Sequence, residues 1–144
     1  MKKLTRVLAL VLLVAAAATL LVSCNKYPAL KKAFEKEGYT ESSTMEGIFS
    51  DVKKALEKEE LSVNLHVMTK GVVNSALIIE FKATEDMKKA YDDSATIQGL
   101  IKDVSANEDA QAFVKALEDA GYAKGNCLVL SLFSEVQSIV KSVK

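Results

Sequence analysis

The chain of 144 residues has one histidine, two cysteines and no tryptophan, which limits the chemistry its side chains can perform. His66 falls on the polar side of an alternating segment, where a histidine reads first as an exposed or rim residue. A zinc site needs three or four ligands, and no cluster of His and Cys supplies them, so no metal and no cofactor is expected. No Gly-x-Ser-x-Gly elbow presents a nucleophile. One catalytic reading survives, a hydrolase that pairs distant carboxylates with His66. The adjacent acids Glu85-Asp86, Asp92-Asp93 and Glu108-Asp109 do not assemble such a pair locally. Neighbours on a helix point about 100° apart, and the first and last pairs sit where helix N-termini favour negative charge. Phosphate loops and dinucleotide fingerprints are absent, as are calcium loops. Lys53-Lys54 and Lys88-Lys89 are too few for a nucleic-acid stripe.

The other reactive side chains are Cys24 and Cys127. Cys24 ends a segment of distinct composition. Lys2, Lys3 and Arg6 precede the run Val7 to Val22, which is broken only by Thr19 and is followed by Ser23. A basic start, an apolar run and small residues before a cleavage point describe a secretory signal. The run is slightly short of the about 20 residues that a membrane-spanning helix needs. Leu21-Val22-Ser23-Cys24 resembles the lipobox of bacterial lipoproteins, with every part of the pattern present and in order. The resemblance covers residues 1–24 only. It implies that a diacylglyceryl group is transferred to the Cys24 thiol and that residues 1–23 are removed. Two acyl chains are what stable anchoring requires. It also implies export and attachment to the cell membrane or outer membrane. Asn25 stands where an Asp would, in that family, retain the protein at the inner membrane.

With Cys24 acylated, Cys127 has no disulfide partner, and its apolar surroundings in sequence make it a buried, inert thiol. The mature domain therefore has to fold on its apolar core alone. From residue 24 onward it carries 16 basic residues against 19 acidic, a mild negative balance that argues against a general nucleic-acid binder.

The elements that must position any site can be read from periodicity. Residues 24–27 form a short lipidated tether, and a single domain spans 28–144. Pro28 suits the first turn of a helix that Gly38 stops. Ser43 and Glu46 are a possible capping box, with Thr44 as the competing cap, for a helix whose apolar face is Met45, Ile48, Phe49, Val52, Ala55 and Leu56. Leu61, Val63, Leu65 and Val67 then alternate with polar residues, and Ala76 to Phe81 is rich in β-branched and aromatic side chains. Together, 61–82 predict an antiparallel hairpin, with its turn at Lys70-Gly71 or, later, at Asn74-Ser75. Thr84 is a candidate cap for a helix with its seam at Met87, Tyr91, Ser94, Ile97, Ile101 and Val104. Gly99 weakens its middle, and a break is expected at Ser105 to Asn107. A further helix ends at Gly121. The run 126–133 reads as a strand buried on both faces, and Ser134 with Gln137 opens a C-terminal helix.

These elements predict an α+β fold: an antiparallel sheet of about three strands packed against helices that cover mainly one face. Tyr39 to Ser43 is a possible fourth strand. The element order loosely resembles small bacterial lipoproteins of uncharacterised families, and the mature domain resembles no family of known function. The functional expectation is a membrane-anchored, non-catalytic binding or interaction domain of the cell envelope. Its partners would be the membrane through the Cys24 acyl chains, and an envelope protein or a small apolar ligand. A ligand carrier predicts a concave apolar pocket between the sheet and the helices from Thr84 to Gly121. An interaction module predicts an exposed apolar patch. The rival readings are the envelope hydrolase built on His66 and a structural surface lipoprotein without a small ligand.

Overall fold

The computed structural model describes residues 25–144, so the signal segment and Cys24 lie outside the described residues. The elements run α1 (Tyr27–Lys36), β1 (Thr40–Glu41), α2 (Ser43–Ile48), α3 (Ser50–Lys58), β2 (Val63–Lys70), β3 (Asn74–Phe81), α4 (Thr84–Asp93), α5 (Ala95–Val104), α6 (Glu108–Ala112), α7 (Val114–Ala120), β4 (Ala123–Lys124), β5 (Cys127–Leu130) and α8 (Ser134–Ser142). The class is α+β. The sheet is antiparallel throughout and has five strands in the order β1-β2-β3-β5-β4.

The hairpin of β2 and β3 is the spine. Its register pairs Val63 with Phe81 and Lys70 with Asn74, leaving residues 71–73 as the turn. Gly71 has a φ of +67°, a conformation that glycine adopts without steric cost, so the turn falls at the earlier of the two expected positions. The segment from Tyr39 contributes a fourth strand, β1, which pairs with Met68 and Thr69. The run 126–133 shortens to β5, and Gly125 at φ +57° turns β4 back onto it as a fifth.

Helices cover both faces of this sheet rather than mainly one. Val67, Leu77, Ile79, Phe81, Leu128 and Leu130 face a layer built from Leu56 of α3, Met87 and Tyr91 of α4, Ile97 and Ile101 of α5 and Leu117 of α7. Met68, Ala76, Ile78, Cys127 and Val129 face the opposite way, against Leu30 and Phe34 of α1 and Val136, Ile139 and Val140 of α8. The cause is local to the strands. β5 is buried along its whole length, and β3 is apolar at Ala76, Leu77, Ile78 and Ile79 in succession. A strand with apolar side chains on both pleats needs cover on both.

Long helical patterns are interrupted where a side chain offers the backbone an alternative. The pattern from Met45 to Leu56 breaks at Phe49. The pattern from Thr84 breaks at Ser94, not at Gly99, because Ser94 takes an extended conformation and its hydroxyl accepts from the Ile97 amide. That hydroxyl also donates to Glu59 across the domain. The expected break near Ser105 to Asn107 is present, with Asn107 capping α6 through the Asp109 amide. Ser42 accepts from the Met45 amide at the start of α2. Two expected caps are not formed. α4 begins at Thr84 without a side-chain cap, and Gln137 donates to the Ser131 carbonyl instead of closing a box with Ser134.

Candidate functional site

His66 is neither freely exposed nor on an empty rim. Its side chain is 16% exposed, with Nδ1 2.8 Å from Glu41 Oε1 and Nε2 2.8 Å from Glu80 Oε2. The pleat explains the convergence. His66 sits opposite Ile78, so Glu80 is its diagonal neighbour on the same sheet face, and Glu41 approaches from β1. The ring of Tyr27 stacks on the imidazole with centroids 3.7 Å apart. Glu41 also accepts from Tyr27 Oη at 2.8 Å and from Lys31 Nζ at 3.0 Å. Burial alone would raise the Glu41 carboxyl, but the bonds from Lys31, Tyr27 and His66 outweigh it and hold it at about 2.

This cluster ties the start of the domain to the sheet. Asn25 donates to Glu80 at 3.1 Å and accepts from the Tyr27 amide. The Lys26 amide donates to Asn126 Oδ1 at 2.9 Å. Asn126 is itself buried, and its side-chain amide donates to the Phe81 carbonyl at 2.7 Å. Residues 25–27, read from sequence as part of a tether, are thus fixed on the sheet from Asn25 onward.

The hydrolase reading asks for His66 within hydrogen-bond reach of a carboxylate, which is present, and for a cleft around it. Both imidazole nitrogens are engaged by carboxylates, and the adjacent hydroxyl of Tyr27 is committed to Glu41. His66 lines none of the three cavities described below. Among the described residues, no group of three His, Cys, Asp or Glu side chains is placed to hold a metal ion. Cys127 is fully buried, and burial first, with Glu80 adding to it, pushes its thiol up to about 12, far from the thiolate range of reactive cysteines.

The three cavities differ in chemistry. The largest, about 400 Å³, lies between the end of α3 and α4 and is lined by Glu59, Glu60, Ser62, Lys82, Asp86, Lys89 and Asp93 among others. Its charges are mixed. Glu59 is already satisfied by Ser94 and Thr96, which outweigh its desolvation and lower its carboxyl. A second hollow of about 390 Å³ along Lys53, Glu57 and Ser62 is similarly polar. The third, about 240 Å³, is different. It lies between the sheet and α5, with Phe49, Val67, Leu77, Leu100, Val104 and Leu130 on its walls and Leu132 at its edge. This is the place sequence reasoning assigned to an apolar pocket, between the sheet and the helices that follow Thr84. Leu132 is 77% exposed, and Ile48, Val72 and Val73 are further exposed apolar residues.

The hollow opens at the end of the sheet remote from Asn25. It is lined by Ser75 and Ala76 at the start of β3, whereas Asn25 is bonded to Glu80 near its end. Ser75 and Glu80 are five residue steps apart along β3, about 17 Å at ~3.4 Å per step. Among the described residues, no helix is long and apolar enough to cross a membrane.

No protein-family profile, curated protein or solved structure matches the chain. The site must therefore be read from its own geometry. Sequence reasoning singled out His66 but missed Glu41, Glu80, Tyr27 and Asn126. One signal was available, since Glu80 is the single acid in the apolar run 76–81 and shares a pleat with His66. Nothing local marked Glu41 or Asn126, whose partners lie 25 and 100 residues away.

Proposed function

We propose that the protein is a lipid-anchored lipoprotein of the bacterial cell envelope, carrying a non-catalytic domain that binds a small apolar ligand in the hollow between the sheet and α5. The anchoring half of this reading rests on Leu21-Val22-Ser23-Cys24 and on the basic, then apolar segment before it. The hydrogen bonds at Asn25 and Lys26 bear only on how an anchored domain would sit. A lipid on Cys24 is separated from the fixed Asn25 by a single peptide unit, about 3.8 Å between Cα atoms. The Glu80 end of the sheet would then rest at the membrane surface, and the hollow would open on the far side.

The observation that carries the binding half is the hollow itself, a concave apolar surface left open in a domain whose sheet is otherwise covered on both faces. Soluble ligand sites have this character, with apolar walls and few polar groups. His66 in this reading is structural and holds α1, β1 and the chain start on the sheet.

The test uses the membrane-purified protein in lipid nanodiscs with an apolar naphthylamine dye that fluoresces when it leaves water. Fluorescence above the empty-disc background is expected, and Leu100→Trp, which fills the hollow with an indole, should abolish the excess. Equal fluorescence from both proteins would remove the hollow as the binding site.

A further inference from the structure

The lining of the hollow points to a ligand class. Of the residues that form it, a single one is charged, Asp103 in the last turn of α5. The polar groups of Ser131 are turned inward on the protein. Its hydroxyl donates to the Ser75 carbonyl at 2.6 Å and accepts from the Phe133 amide, and its carbonyl accepts from Gln137. Asp103 is exposed, and its carboxylate appears in no ion pair among the described residues. An apolar cup with one acidic group on its wall complements a molecule with an apolar body and one cationic head.

We infer that the hollow takes a small amphiphilic amine, with its hydrocarbon against Leu100, Val104 and Leu130 and its ammonium group at Asp103. The inference rests on the ligand-binding reading above and deepens it. Size favours a small molecule over a protein segment. The hollow holds about 240 Å³, just below the roughly 300–1,000 Å³ of sites for drug-sized ligands. An α-helix with its side chains is about 10–12 Å across and would not enter it.

The experiment follows binding of three eight-carbon probes, n-octylammonium, n-octanol and n-octanoate. The chain has no tryptophan, so Leu132→Trp at the exposed edge of the hollow supplies the optical reporter. The reporter protein is titrated in nanodiscs where it carries a lipid and in solution where it does not, with empty discs correcting for partition into lipid. Octylammonium should bind tightest, about five-fold tighter than octanol, as one partly exposed ion pair allows. Octanoate should bind weakest. Asp103→Asn should remove the difference between octylammonium and octanol, and Asp103→Lys should invert the order in favour of octanoate. Asp103 is exposed, so neither change threatens the core. Equal binding of all three probes, or an order that the two Asp103 variants leave unchanged, overturns the inference. Absence of any signal that saturates overturns the small-ligand reading together with it. None of these outcomes depends on a lipid at Cys24, so failure of the anchor and failure of the ligand assignment are distinguishable.

Discussion

Glu41 is the residue on which the chain start is most visibly balanced. It accepts from Tyr27 and Lys31, meets His66, and is held at about 2 against an ordinary carboxylate value of 4.5. A carboxylate lowered by folding contributes stability that is complete above its unfolded value and is lost as pH falls through its folded value. The denaturant midpoint of the wild type should therefore decline between about pH 4.5 and about pH 2, in part through this group. Glu41→Gln should show a shallower decline over the same window in urea titrations at stepped pH. An identical pH slope in the variant would mean that the cluster does not hold the fold. Asn126 acts beside it as a buried splice between the Lys26 amide and the Phe81 carbonyl.

The elements themselves were largely legible from periodicity. Alternation gave β2, a run rich in β-branched and aromatic residues gave β3, and a run with almost no polar side chains gave β5. What periodicity could not show was the interruption of helices by tertiary bonds. Ser94 sits in register with a helical seam, yet its extended conformation is supported by Glu59, a partner 35 residues away. The second covered face of the sheet was legible in β5 but not in β2. Met68 falls on the polar side of the alternation in β2, and only the packing of α1 and α8 shows that side to be half core. Glycine stops were reliable where the geometry leaves no choice. Gly121 ends α7 at φ +86°, and a Cβ there would lie 2.5 Å from the Gln137 carbonyl of α8. Gly121→Ala should cost more than about 2 kcal/mol in chemical unfolding, since it combines a left-handed backbone with a clash against rigid main chain. A loss within a few tenths of a kcal/mol would show that α7 and α8 can separate freely. Glu60, by contrast, adopts φ +61° without being glycine, and closes the end of α3 through the Leu61 amide to the Leu56 carbonyl at 3.0 Å.

At the scale of the molecule, two apolar layers on one antiparallel sheet leave its ends with different roles. One end carries the fixed chain start and the His66 cluster, and the other carries the apolar hollow. The candidate site was legible only in part. The expectation of an apolar pocket beside the helices after Thr84 named its place, but Phe49 and Asp103 come together there only through the fold. An anchor at Cys24 would set the first end at the membrane and present the second away from it. The measurement that tests this most directly is the intact mass of the protein isolated from bacterial membranes, for the wild type and for Cys24→Ala. The account predicts a wild-type mass that lacks residues 1–23 and carries added acyl groups on Cys24, and neither change in the variant. A wild-type chain with an unmodified Cys24 would contradict it.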